Sequence, residues 1–288
     1  FEVLARAKAL ERQGREIVHL EIGEPDFDTP AHIKEAAKRA LDAGATHYGP
    51  SAGLPEFREA IAAHVSQTRG IPVSPEEVVV TPGAKPIMFF TIIGLVNRGD
   101  EVIYPNPGFP IYESVINFVG GVPVPIPLRE ETGFGFDLAL FERKVSERTR
   151  LIIINSPQNP TGGVLEREQI QRIAELARRW RIPVLADEIY RYFLYEGEFA
   201  SIASLPGMKE HTIILDGFSK AYAMTGWRLG FSYCDPAAAK ELGAVQSHVS
   251  SNASSPSQVG ALAAFTETEK REKAVKEMVA AFRRRRDL

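Results

Sequence analysis

HTIILDGFSKAYAMTGWRLG, residues His211 to Gly230, decides how the rest of the chain is read. Thr212 to Leu215 is a short, β-rich apolar run that predicts a buried strand, and Asp216 and Gly217 end it. Phe218 to Lys220 therefore fall on the loop at that strand's end, where α/β proteins place their chemistry. Phe218, Ala221, Tyr222, Ala223 and Met224 surround Lys220 in sequence, so its amine is not an ordinary solvated charge. Burial lowers an amine's pKa toward the nucleophilic free base, the state a Schiff-base lysine requires. Arg228 follows eight residues on, ahead of a second apolar run from Leu229 to Cys234. A guanidinium there can grip a phosphate through two parallel hydrogen bonds. A lysine in a turn is by itself more often structural, so the neighbouring motifs decide the matter.

Apolar runs alternate with helical patterns along the whole chain, without internal repeats or a low-complexity linker. The spacing predicts helices over Ala31 to Ala43, Leu54 to Thr68, Lys85 to Asn97, Ile111 to Phe118, Asp137 to Ser146, Glu166 to Arg179 and Pro236 to Ser247. Strands are expected at Val78 to Thr81, Glu101 to Tyr104, Val122 to Pro127, Leu151 to Asn155, Val184 to Ala186, Ile213 to Leu215 and Leu229 to Tyr233. Several are uninterrupted Val/Ile/Leu, which means both faces are covered, and an α/β class with a mostly parallel sheet follows. Ser257 to Leu288 has helix-forming residues throughout, with no Pro or Gly after Gly260, and reads as one long helix.

With 288 residues, 44% hydrophobic and 25% charged, the chain can bury a large core in one or two domains. A net charge of −3 gives no general attraction to nucleic acid or to an acidic membrane surface. The longest apolar run, Ile87 to Val96, is too short to span a bilayer. Arg283 to Arg286 follow several glutamates and read as a solvated helix face rather than a nucleic-acid patch. Cys234, the only cysteine, fits a reducing cytoplasm. Both ends read as cut: Phe1 already lies in a helical pattern (Val3, Leu4, Ala7, Leu10), and Leu288 ends in mid-helix.

SKAYAMTGWRLG resembles the lysine signature of the class I/II aminotransferases, the fold-type-I pyridoxal-phosphate enzymes. GEPDFDTP (Gly23 to Pro30), NSPQNPTGG (Asn155 to Gly163) and ADEIY (Ala186 to Tyr190) agree with that family in order and spacing. The resemblance spans essentially the whole chain. It implies pyridoxal 5′-phosphate as cofactor, amino-acid and 2-oxo-acid substrates, a ping-pong reaction and a homodimer with a shared active site. In the implied layout residues 1–29 are an N-terminal arm, 30–256 the cofactor-binding large domain and 257–288 a helix leading to a small C-terminal domain. An R-[LI]-S-[YF] motif carrying the arginine for the substrate carboxylate would lie in that last domain.

The same resemblance assigns residues. Lys220 holds the cofactor aldehyde, Arg228 its phosphate and Asp187 its ring nitrogen, while Tyr190 and Asn159 share its 3′-oxygen. Gly83, Ala84 and Lys85 form the phosphate cup at a helix start, where a glycine lets the backbone approach an anion and the helix dipole favours it. Phe109 in NPGFPIY stacks on the ring, where Trp or Tyr is usual. Gly23 meets the substrate carboxylate with its backbone, and Tyr48 reaches the phosphate of the neighbouring subunit. Where the family often has a hydroxyl three residues before the lysine, this chain has Gly217, with Ser219 adjacent to the lysine instead. Taken singly, Asp187 reads as a helix cap or a structural ion pair, Tyr190 and Phe109 as core aromatics and Asn159 as a turn residue before Pro160. A β-lyase on the same scaffold, and the ligand-sensing domain of a transcription regulator, are the rival readings.

Overall fold

The computed structural model describes residues 2–288; Phe1, with which the expected arm begins, lies outside them. The chain opens with helices α1 (Glu2–Glu11), α2 (Ala31–Asp42) and α3 (Pro55–Arg69). Strand β1 (Val78–Thr81) leads to α4 (Lys85–Leu95), β2 (Glu101–Asn106), α5 (Ile111–Phe118), β3 (Val122–Pro127) and α6 (Leu138–Lys144). Then come β4 (Thr149–Asn155), α7 (Arg167–Trp180), β5 (Val184–Asp187), β6 (Thr212–Gly217) and β7 (Gly230–Tyr233). Helices α8 (Pro236–Ser250), α9 (Ser255–Thr266) and α10 (Thr268–Arg286) complete the described residues.

The strands form one sheet in the order β1-β7-β6-β5-β4-β2-β3. All neighbours are parallel except β7, which runs antiparallel to both β1 and β6. Because side chains alternate along a strand, the apolar runs feed cores on both faces. Leu151 and Ile153 of β4 pack with Ile87 and Phe90 of α4 and Tyr112 of α5. Ile152 and Ile154 pack on the other face with Ile170, Ile173 and Ala177 of α7. Beyond β5, that second face is covered by α3 and α9, through Phe57, Ile61 and Ala261. The result is a sheet between two helical layers, the expected α/β class.

One expectation needs correction. The segment Ser257 to Leu288 is two helices rather than one, broken at Glu267 (φ −106°, ψ 60°). Before the break, α9 lies against α2 so closely that a Cβ on Gly260 would stand 2.8 Å from the Ala37 Cβ. The arginine run is a solvated helix face, as expected, with Arg283 to Arg286 all exposed, and it also carries surface ion pairs. Arg285 pairs with Asp26 at 2.7 Å and Arg286 with Glu196 at 3.1 Å, while Phe282 packs edge-on against Phe27 at 5.6 Å. These contacts tie α10 to the segment that contains Gly23.

Candidate active site

Parallel strands end on one edge of a sheet, so Asn106, Asn155, Asp187 and Gly217 come together at the termini of β2, β4, β5 and β6. Asn155 and Asp187 are direct partners in the register. Asp187 shares a face with Leu185 and so points toward α5, where Tyr112 donates its hydroxyl to Asp187 Oδ2 at 2.6 Å. The Ile189 N–H donates to Oδ1 at 3.3 Å. Asp187 is only 3% exposed. Burial pushes its carboxyl up to about 6, against the two hydrogen bonds and with help from the charges of Asp216 and Glu188.

Lys220 lies on the loop after β6, half-buried, with its Nζ donating to the Gly23 carbonyl and 5.8 Å from the centre of the Tyr190 ring. Burial lowers its pKa, the opposing pull of Glu24 and Asp187 notwithstanding; Arg228 and Lys85 lower it further. Tyr190 is pushed up to about 12 by burial and by the Asp187 charge, so its hydroxyl keeps its proton. Phe109 stands edge-on to Tyr112 at 6.1 Å, with Lys85 Nζ 5.5 Å from its ring centre.

The turn from β1 into α4 meets Arg228. Gly83 has φ +87°, a conformation other residues rarely adopt, and a Cβ there would fall 2.3 Å from Arg228 Nη2, so the guanidinium would have to shift. Arg228 itself adopts φ +54°; its Nη1 donates to the Thr225 carbonyl at 3.0 Å. Gly230 is equally constrained, since a Cβ would approach the Ala84 nitrogen to 2.6 Å. Helix α4 follows its N-cap Ala84 without a side-chain cap, and the positive end of its dipole favours an anion there.

Asn159 is tied to the same edge: its N–H donates to Asn155 Oδ1 at 2.8 Å, and Asn155 Nδ2 donates to the Asp187 carbonyl at 3.0 Å. Ser219 is half-buried beside Lys220. Tyr48 stands apart, 89% exposed, on a loop where the Ser255 hydroxyl donates to the His47 carbonyl at 2.8 Å. Sequence reasoning missed Tyr112, although it lies three residues after Phe109 in the motif NPGFPIY. It also missed Asn155, whose side chain links two strand ends.

An enzyme that joins a lysine to a phosphorylated aldehyde needs that amine within reach of an anion cradle and of a buried carboxylate. This sheet edge offers all three, and with the fold it defines a pyridoxal-phosphate enzyme. The chain belongs to the aminotransferase class I and II family, whose family model matches residues 15–288. It is an aminotransferase that depends on pyridoxal 5′-phosphate. A probable aspartate/prephenate aminotransferase of Aquifex aeolicus is 44% identical over 99% of this chain and 73% of its own length. The solved aspartate aminotransferase of Thermus thermophilus with maleate superposes at a TM-score of 0.96, with 40% identity over 99% of this chain and 74% of that one. An aromatic aminotransferase from Pyrococcus horikoshii superposes at 0.92, also at 40% identity, over 98% of this chain and 76% of its own. The residues present fit the cofactor: the Gly83 and Arg228 cradle suits a phosphate, and the enclosed Asp187 suits a protonated ring nitrogen.

Proposed function

We propose that the aminotransferase reaction is carried by Lys220, Asp187 and Tyr190, and that aspartate is an amino donor. The observation that carries the residue roles is the convergence of Lys220, Asp187 and Arg228 at one sheet edge, each in a setting matched to a different end of the cofactor. Pyridoxal phosphate, when bound, supplies the electron sink for the pair released at the substrate's Cα. The Lys220 amine, its pKa lowered by burial, would hold the aldehyde and, once displaced by substrate, would move the proton away from Cα. Asp187, fixed by Tyr112 and the Ile189 N–H, keeps the ring nitrogen protonated, which stabilises negative charge in the transition state. Tyr190, its proton held, donates to the 3′-oxygen, and Asn159 shares that acceptor. Phe109 covers the ring face. Arg228, with Gly83, Ala84 and Lys85 and with Ser219 beside Lys220, holds the phosphate.

Gly23, whose carbonyl accepts from Lys220, would meet the substrate carboxylate with its backbone N–H. Tyr48, exposed in one chain, would reach the phosphate site of a second copy in a homodimer. In the proposed layout residues 30–256 form the cofactor-binding body and 1–29 an arm. Residues 257–288 would lead on to a further domain, with α9 packed on the body and α10 still joined to its core through Val275. Among the described residues no helix is long and apolar enough to cross a membrane. The cytoplasmic placement rests on the single, buried Cys234.

The names of the relatives support aspartate as donor. The test is to mix the holoprotein with single amino acids and measure the 2-oxo acid formed per cofactor. Aspartate should give one equivalent and change the cofactor's absorbance to that of its aminated form. Full conversion by other amino acids with none by aspartate would overturn the substrate assignment; ammonia with a fragmented side chain would indicate a lyase.

A further inference from the structure

Behind the same strand ends, on the α3 side of the sheet, sits a buried cluster of charges. Alternation sends Asp187 toward α5 and Glu188 toward α3; on β6 it likewise sends Asp216 to the side opposite Leu215. Arg69, in the last turn of α3, has a side chain 0% exposed. Its Nε and Nη2 donate to Glu188 Oε2 at 3.0 and 2.9 Å, and Nη2 also donates to Asp216 Oδ2 at 2.7 Å. Arg191 donates through Nε to the same Asp216 oxygen at 2.9 Å, and its Nη2 donates to His64 Nε2 at 2.6 Å. The Ser201 hydroxyl donates to Glu188 Oε1 at 2.5 Å. Burial and the two guanidiniums hold the His64 pKa down to about 2, so the imidazole is neutral. Two cations thus face two carboxylates, and the cluster is charge-balanced.

Each member adjoins a residue of the active site. Glu188 follows Asp187, Arg191 follows Tyr190, and Asp216 lies four residues before Lys220. Buried ion pairs of this kind often contribute no more stability than a well-packed apolar set would, so stability alone does not account for them. What a shared guanidinium does provide is a fixed separation between the groups it bridges, because its donors sit in a rigid planar fork.

We propose that Arg69 and Arg191 are positioning residues for transamination: they clamp the ends of β5 and β6, fixing Asp187, Tyr190 and the Lys220 loop relative to one another, and they cancel the charges of Glu188 and Asp216. The proposal rests on the roles given above to Lys220 and Asp187. Asp187 is faced by Tyr112, Tyr190, Glu188 and Asp216, and Lys220 by Glu24, Asp187, Arg228 and Lys85. Asp187 feels the charges of Glu188 and Asp216 directly, and Arg69 pairs with both without touching the cofactor site itself.

The experiment compares holoprotein variants Arg69→Gln, Arg69→Lys and Glu188→Gln by circular dichroism, by the pH midpoint of the bound cofactor's absorbance, and by kcat and KM. An uncompensated carboxylate favours protonated forms nearby, so Arg69→Gln should move the midpoint up. Glu188→Gln, nearly isosteric but one negative charge short, should move it down; each shift should be about half a pH unit or more. Arg69→Lys keeps the charge and loses the fork, so its midpoint should stay while kcat falls about tenfold with KM nearly constant. Should Arg69→Gln fail to fold, the other two still decide the outcome. A lowered Tm with unchanged midpoints and unchanged kcat would overturn the proposal and leave the cluster purely structural. Borohydride labelling of Lys220 in the parent protein separates the two layers: without that label the active-site reading fails and the clamp with it. With the label but no shifts, only the clamp fails.

Discussion

Replacing Tyr112 with Phe removes one hydroxyl and keeps the ring. That hydroxyl donates to Asp187 Oδ2 at 2.6 Å, between side chains 0% and 3% exposed, so water cannot readily take its place. A hydrogen bond to a charged group contributes about 1.5–3 kcal/mol, and one pKa unit corresponds to about 1.4 kcal/mol. The bond favours the ionised carboxyl; without it, Asp187 should rise by about one to two units from its value of about 6, held only by the Ile189 N–H. At pH 7 a group with a pKa of 6 is about nine-tenths ionised, whereas one at 7 to 8 is roughly one-half to one-tenth ionised. Only the ionised form pairs with a protonated ring nitrogen, so the apo protein should bind pyridoxal phosphate about twofold to tenfold more weakly at pH 7. The deficit should close above about pH 9, where both carboxyls are ionised. Fluorescence titration of apo parent and Tyr112→Phe protein from pH 5 to 9 measures this directly. Superimposable curves, or a loss equal at every pH, would refute the argument that Tyr112 tunes Asp187.

Gly83→Ala places a Cβ 2.3 Å from Arg228 Nη2 at a φ of +87°, so the guanidinium must move. Cofactor affinity should drop about tenfold or more while the far-ultraviolet circular dichroism is retained; unchanged affinity would exclude this cradle as the phosphate site. Mixing inactive Tyr48→Phe and Lys220→Ala chains under conditions of subunit exchange should restore activity through heterodimers with one repaired site. No recovery, with exchange demonstrated, would show that Tyr48 does not act across an interface.

The elements were largely legible because their causes are local. Uninterrupted runs such as Leu151 to Ile154 announce strands covered on both faces, and the spacing of Ile170, Ile173, Ala174 and Ala177 announces one apolar helix stripe. Strand order and the antiparallel β7 were not, since they depend on pairing between distant segments, such as Val78 with Tyr233. The site divides in the same way. Lys220, Asp187 and Arg228 sit in local motifs whose flanking residues state their setting. Tyr112 looked like core because its aromatic ring is core, and only its hydroxyl meets Asp187. Arg69, Glu188, Asp216 and Arg191 come from α3, the ends of β5 and β6, and the turn after Tyr190, and no local pattern joins them. A charge closing an apolar run, as Asp216 closes TIIL, was the one available sign that something buried would answer it.

The proposed chemistry turns on Lys220 as the residue that carries the cofactor. Borohydride reduction of the holoprotein, followed by digestion and mass mapping, should place a single pyridoxyl group on the peptide containing Lys220 and nowhere else. A pyridoxyl group on Lys85, the other lysine at the phosphate cradle, would contradict it.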